Sequence, residues 1–287
     1  MKQNSAKWMK IVGWALLVFA IGLFCLQMGY LVIHERLQVE FADNRLFYLI
    51  NICSSIFLLL AVLLLLQLTK RFKAAGSVIA AIFIFTQVIL LGISNQEIRN
   101  IVSVSPDMKH VLSIKENLEN GEAVYYRTYY GILARPKERL PHKTDGKFQV
   151  KWLADDVAAV TYKAADNTIQ QYIGTYGDRG SGISYYYVGA EIHGKWQGDN
   201  IEVVSNTEGI SVTENGETEL FEWDNIDQFG TLAVVLKKNN SAVWSLSLDK
   251  NFEVDSDSAN PAAGNISLYK ADMEGNQPAT LDFIAPN

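Results

Sequence analysis

The sequence predicts a membrane α-helical anchor of three transmembrane helices, followed by an all-β domain on the extracytoplasmic side. Two observations support this fold class. Residues 1–99 hold three long apolar runs and carry a net charge of +5, whereas residues 100–287 hold short β-type segments and carry a net charge of −11. Because pattern and charge change at the same place, we expect a three-helix domain over 1–99 and a β-rich domain over 100–287.

The three apolar runs cover residues 11–33, 46–68 and 74–93. About 20 helical residues, each rising about 1.5 Å, cross a hydrocarbon core of about 30 Å, so each run is long enough to span a bilayer. The first run is longer than the 7 to 15 apolar residues typical of a signal peptide, and no Ala-x-Ala-like site follows it. We therefore expect an uncleaved first helix.

Basic residues predict the orientation of these helices. Positive charge is concentrated before the first run and between the second and third, whereas the loop 34–45 has two Arg against three acidic residues. Segments rich in Lys and Arg tend to stay in the cytoplasm. We therefore expect a multi-pass plasma-membrane protein with a cytoplasmic N-terminus and an extracellular C-terminal domain. The basic residues are Lys2, Lys7, Lys10, Lys70, Arg71 and Lys73.

Gln27, Asn51 and Gln87 are the most conspicuous polar residues inside the apolar runs. No Asp, Glu, Lys, Arg or His lies in these runs, which argues against a proton relay, an ion-coupling carboxylate or a voltage sensor. Two interpretations remain open. The polar side chains form hydrogen bonds between the helices of this chain, or they form a face for the helices of a partner.

The β-rich domain is predicted from short segments separated by Gly, Asn and Asp turn signals. Such spacing is typical of a sandwich, a barrel or a few propeller blades, and we leave these three open. A short helix over 224–236 is also considered, although Gly230 weakens it. The predicted strands are 111–115, 123–133, 148–152, 157–163, 168–174, 184–188, 201–205, 210–213, 242–248 and 266–270. The predicted turns lie at 120–121, 145–146, 166–167, 199–200, 215–216, 239–240 and 275–276.

A short motif occurs twice, as Lys-Trp-Leu-Ala-Asp-Asp-Val at 151–157 and Lys-Trp-Gln-Gly-Asp-Asn-Ile at 195–201. Each copy predicts a strand, a tight turn and a second strand, and the interval is near that of a four-stranded propeller blade. The segment Ser-Pro-Asp-Met-Lys at 105–109 resembles the Ser-Pro-Asp-x-Lys blade motif of TolB-type β-propellers, and 152–162 is similar to the same blade strand. Met108 stands where that motif has Gly. The resemblance covers about 60 residues and implies blade-like strands, but no activity.

The sequence contains no recognisable catalytic motif. The four histidines are isolated, and both cysteines lie in the apolar runs, so residues 100–287 have neither a disulfide nor a thiol nucleophile. No nucleophile elbow or P-loop is present, and a calcium loop at 255–266 lacks the required Gly and Glu. We expect no enzymatic activity, no metal and no cofactor. A hydrolase that uses two carboxylates, such as Asp155 or Asp156 with a distant Glu, is the less favoured alternative.

Tyrosines provide the candidate binding surface. They form two runs, at 125–130 and 185–187, and side chains alternate across a strand, so each run places at least one tyrosine opposite the core. Exposed tyrosines are common in protein and glycan contacts, but packing between two sheets explains them equally well. The candidate binding residues are Tyr125, Tyr129, Tyr176, Asp178, Arg179, Tyr185 and Tyr186.

These observations predict a non-enzymatic membrane protein. Our first hypothesis is an accessory or sensory partner of a membrane complex. The alternative is a membrane-anchored module that binds a glycan or protein of a bacterial cell envelope. We expect contact with the lipid bilayer and with a membrane protein or an envelope component. The acidic domain argues against binding to nucleic acid.

Overall fold

The computed structural model describes residues 2–129, 131–177, 187–198, 200–253 and 263–285. The chain divides into two compact units, which interleave along the sequence. The first consists of Met1–Val102, Ser113–Glu119 and Val124–Glu138, and the second of Ser103–Leu112, Asn120–Ala123 and Arg139–Asn287.

The first unit contains three long apolar helices, α1 (Lys2–Leu37), α2 (Arg45–Leu65) and α3 (Lys70–Glu97). Lys7–Leu37, α2 and α3 are long and apolar enough to cross a membrane. This confirms the three predicted helices. The basic cluster at 70–73 forms the first turn of α3, whereas the sequence suggested a loop there, because α3 begins at Lys70.

A five-stranded sheet follows the helices. Its strands are β1 (Glu40–Phe41), β2 (Ile98–Val104), β3 (Val111–Asn117), β4 (Ala123–Tyr129) and β5 (Leu133–Arg139), in the order β1-β5-β4-β3-β2. The single strand predicted over 123–133 is wrong, since β4 ends at Tyr129 and the chain turns before β5. Gly131 has φ of +77° in this turn, a conformation that favours glycine.

The described part of the second unit consists of strands, apart from one α-helical turn and one 3-10 turn. A three-stranded sheet contains β6 (Thr144–Ala154), β7 (Val157–Ala164) and β8 (Ile169–Thr175). After the turn α4 (Val188–Glu191) come β9 (Gly194–Gln197), β10 (Ile201–Ser205), β11 (Gly209–Glu214), β12 (Glu217–Glu222), β13 (Ile226–Phe229), β14 (Ala233–Lys238), β15 (Ser241–Leu248), β16 (Asn265–Lys270) and β17 (Ala279–Ile284).

These nine strands form one sheet in the order β12-β11-β10-β9-β17-β16-β15-β14-β13. The sheet curls into a near-closed barrel. An ion pair connects its two edges, because Glu219 lies in the edge strand β12 and Lys238 lies in β14, next to the other edge strand, β13. The sequence left a sandwich, a barrel or propeller blades open. Of these three, this sheet is most similar to a barrel.

Strand β14 of the barrel is buried on both faces along most of its length. In β14, Val234 and Leu236 belong to the barrel core around Trp196, whereas Ala233 and Val235 pack against the three-stranded sheet. Alternation along a strand sends successive side chains to opposite faces. β14 therefore contributes side chains to two cores. Burial of the strand on both faces explains its continuous apolar run.

The helix considered over 224–236 is wrong. This stretch forms a 3-10 turn (Trp223–Asn225), then β13 and β14, which pair antiparallel around Gly230. Gly230 has φ of +56°, a conformation that fits the hairpin turn between β13 and β14 and not a helix. The strand predicted over 184–188 falls mostly outside the described residues, and its last residue, Val188, begins α4.

Several turn predictions are confirmed by backbone geometry. Asn167, Asn215 and both Asn239 and Asn240 have positive φ between antiparallel strands. The signal at 145–146 is an exception, because Gly146 lies inside β6, where the pairing with β7 shifts register. The repeated motif forms two comparable hairpins, β6–β7 and β9–β10. Asp199 of the second copy lies outside the described residues.

Candidate functional site

The candidate ligand site lies at one end of the barrel, where three short connections meet. These are α4, the turn between β10 and β11, and the 3-10 turn between β12 and β13. In the β10–β11 turn, the Asn206 side chain accepts hydrogen bonds from the backbone N–H groups of Glu208 (2.8 Å) and Gly209 (3.3 Å). This arrangement is typical of the Asx turns that Asn favours.

Trp223 covers this end of the barrel. Its indole N–H donates to the carbonyl of Thr207 (3.2 Å), and its ring lies directly over Gly189 of α4. A Cβ added to Gly189 would lie 2.3 Å from Cζ3 of Trp223, so only glycine permits this contact. Ser205 Oγ donates to the Gly189 carbonyl (2.9 Å), which fixes α4 to β10.

An open cleft of about 450 Å³ lies on one side of Trp223. Its walls are mainly apolar, and they include Tyr187, Ala190, His193, Ile226 and Val234. Tyr187 is 65% exposed and Trp223 is 38% exposed. The volume is in the range of about 300 to 1,000 Å³ that is usual for ligand pockets.

Trp223 also lines a second hollow, of about 340 Å³. It is lined by Leu220 and by three carboxylates, those of Glu208, Glu222 and Asp224. None of the three makes an ion pair with any described Lys or Arg. Trp223 therefore borders both an apolar cleft and an acidic hollow.

Of the candidate tyrosines, the three that the structure describes do not line this site. Tyr125 is buried in the first unit, while Tyr129 is 49% exposed, with the Arg135 guanidinium 5.8 Å from its ring centre. Tyr176 is buried in the second unit and stacks between the rings of His110 (4.5 Å) and Trp152 (5.8 Å). Asp178, Arg179, Tyr185 and Tyr186 lie outside the described residues.

A second polar cluster lies in the first unit, where the loop after α1 meets the five-stranded sheet. Lys115 Nζ lies 2.6 Å from Glu40 Oε2 and 4.2 Å from the Tyr126 ring centre. Burial lowers the pKa of the Lys115 ammonium, although the Glu40 carboxylate opposes this shift. Burial, with the charge of Glu40, raises the pKa of the Tyr126 hydroxyl to about 12.

Two of the three predicted intramembrane residues, Asn51 and Gln87, form a hydrogen bond between neighbouring helices. Asn51 Nδ2 of α2 donates to Gln87 Oε1 of α3 (3.2 Å), and Gln87 is buried. Gln27 of α1 is also buried, and Ser54 Oγ of α2 donates to the Ala20 carbonyl of α1 (3.2 Å). These contacts join the helices of this chain to one another.

Sequence reasoning missed the residues that form the cleft. Trp223 lay outside every predicted strand, and Asp224 was assigned to the helix considered over 224–236. One signal was available, because Glu-Trp-Asp at 222–224 places an aromatic residue between two carboxylates at the junction of two β-type segments. No protein-family model, curated protein or solved structure shows significant similarity to this chain.

Proposed function

We propose that this chain is a non-enzymatic integral membrane protein that serves as an accessory or sensory partner of a membrane complex. In this proposal it lies in the plasma membrane of a bacterium, with its N-terminus in the cytoplasm and its β-rich part on the outside. The orientation rests on the basic residues that flank the apolar runs.

One observation carries the sensory role. The loop between α1 and α2 forms β1, which pairs antiparallel with β5 through Glu40 and Phe41. At the opposite edge of the same sheet, α3 ends at Glu97 and β2 begins at Ile98 without a linker. One edge strand of the sheet thus continues directly from a membrane-type helix, and the other lies in the short loop between two such helices.

This arrangement favours coupling over passive anchoring. A passive anchor requires only an apolar span, and a flexible linker would suffice to join it to a domain. Here, a shift of α3 along its axis would displace β2, and a shift of α1 against α2 would displace β1. Sliding of packed helices is a known route for transmitting conformational change.

A second candidate function is favoured by the Trp223 cleft. A membrane-anchored module that binds an envelope glycan or protein would require such an exposed aromatic site, but it would not require specific helices. The two functions therefore make different demands on α1, α2 and α3.

The test exchanges the helices and keeps the sheet. In one variant, three unrelated transmembrane helices of equal length replace α1, α2 and α3, while residues 38–44 and 98–287 are retained so that β1 and β2 remain. Cross-linking in native membranes, followed by detergent purification, identifies the partners of each chain. We expect a stoichiometric membrane partner for the natural chain only. If the exchanged chain retains the same partner, the accessory role is refuted and the envelope-binding module remains.

A further inference from the structure

The two hollows beside Trp223 differ in chemistry, and together they specify a ligand. The cleft bordered by Tyr187, Ile226 and Val234 is largely apolar, and it offers a place for an aliphatic or aromatic side chain. The second hollow, which Trp223 also lines, holds three carboxylates and the exposed side chain of Leu220.

The carboxylates favour a cation. Glu222 and Asp224 flank Trp223 in sequence, and Glu208 reaches the same hollow from the β10–β11 turn. No described Lys or Arg forms an ion pair with them, and residues 100–287 have a net charge of −11. A ligand cation next to an indole also gains cation–π attraction. Charge complementarity therefore selects a basic group at this position.

We propose that this surface binds an extended, basic segment of a partner protein, with a Lys or Arg in the acidic hollow and a neighbouring apolar side chain in the cleft. The inference rests on the proposed function, because it names the chemistry of the partner that the β-rich part meets.

An extended segment fits better than a small molecule. Small-molecule sites usually enclose most of their ligand, whereas both hollows here are open to solvent and share Trp223 as a lining residue. A polypeptide can place two neighbouring side chains in the two hollows at once, and contacts along its length compensate for the openness of each hollow.

The test uses the purified full-length chain in mild detergent and a set of synthetic seven-residue peptides with an uncharged fluorophore. The central residue is Lys, Arg, Gln or Glu, and its neighbours are Leu, Phe or Ser. Fluorescence anisotropy at low salt gives the affinities. We expect the tightest binding for Lys or Arg beside Leu or Phe, at least tenfold weaker binding for Glu or for Ser neighbours, and loss of binding in high salt.

Two double variants, each of which removes two negative charges, test whether the peptides bind at this surface. The double variant Glu222→Gln/Asp224→Asn should weaken binding of the best peptide by about tenfold, while the control Glu217→Gln/Glu274→Gln should leave it within twofold. Equal affinity of the natural chain and the first variant would overturn the proposal, and so would the absence of any preference for basic peptides. If benzyltrimethylammonium binds as tightly as the best peptide, the occupant is a small organic cation and the peptide proposal is wrong. None of these outcomes depends on the helix exchange, so the two proposals can fail separately.

Discussion

Lys115 and Glu40 are 75 residues apart in the sequence, yet Lys115 Nζ lies 2.6 Å from Glu40 Oε2. The Lys115 side chain is 5% exposed and that of Glu40 is 31% exposed. Glu40 belongs to the loop between α1 and α2, whereas Lys115 lies in β3. The pair therefore adds a side-chain contact to the backbone pairing by which this loop joins the sheet.

Replacing Glu40 by Gln should destabilise the protein by about 2 to 3 kcal/mol, because it leaves a buried ammonium without its counter-charge. The double variant Glu40→Gln/Lys115→Met should recover most of this loss, since Met fills the space of the lysine stem without a charge. Urea unfolding in mild detergent, monitored by circular dichroism, measures both. Additive effects of Glu40→Gln and Lys115→Met would show that the two side chains are not coupled.

Replacing Met108 by glycine should stabilise the protein. Its φ is +59° and its side chain is 82% exposed, so it carries backbone strain with little packing in return. A non-glycine residue in this region costs about 1 to 3 kcal/mol, and the added freedom of glycine in the unfolded chain offsets about 0.5 to 1 kcal/mol. We expect Met108→Gly to stabilise the protein by about 0.5 to 1.5 kcal/mol in urea unfolding. The control Met108→Ala, which keeps the strain, should change stability little.

The same turn contains an acid-sensitive carboxylate. Ser105 Oγ donates to Asp107 Oδ1 (2.7 Å), and this bond is the main reason why the pKa of Asp107 falls to about 2. The folded-state pKa lies below the unfolded value, so the contribution is present above pH 4 and is lost as the pH falls toward 2. We expect the thermal unfolding difference between the natural chain and Asp107→Asn to shrink across this window. A difference that is constant from pH 5 to pH 2 would contradict this assignment.

Apolar periodicity and turn chemistry predict much of the fold. Runs long enough to span a bilayer leave few alternatives to helices, and Asn pairs such as 239–240 favour positive φ in a hairpin turn. The short edge strand β1 could not be predicted, because its two residues carry no alternating pattern and depend on pairing with β5. Long-range contacts of this kind decide the sheet order but leave no local signal.

The candidate site was the least predictable feature. Trp223 and Gly189 are 34 residues apart in the sequence, and only folding of the barrel places one over the other. Sequence reasoning directed attention to tyrosine runs instead, since alternation guarantees that a run has an exposed member. Alternation does not say which tyrosine of a run packs into the core, and Tyr125 proved to be buried.

Adding a methyl group to Gly189 should displace Trp223. The added Cβ would meet ring atoms of Trp223 at 2.3 and 2.5 Å, so the indole must move away from α4. Overpacking of this kind costs about 1 to 3 kcal/mol. We expect Gly189→Ala to lower stability by this amount, and to do so much less in a Trp223→Leu background. An equal loss in both backgrounds, measured by urea unfolding, would show that the indole is not the group that opposes the methyl.

The orientation of the chain can be tested with single cysteines. The natural Cys25 and Cys53 lie in α1 and α2, so a Cys25→Ala/Cys53→Ala background removes them at small cost. Lys70→Cys probes the basic first turn of α3, and Glu217→Cys probes β12. In intact spheroplasts of a bacterial host, a membrane-impermeant maleimide should label the Glu217→Cys chain only.

Permeabilised spheroplasts provide the control, because both single-cysteine chains should then be labelled. Labelling of Lys70→Cys, but not of Glu217→Cys, before permeabilisation would show that the orientation is the inverse of the proposed one. The β-rich part would then face the cytoplasm, and a partner segment for the Trp223 cleft would have to be sought there. The positive-inside rule makes the opposite prediction, since Lys70, Arg71 and Lys73 are clustered within one turn of α3.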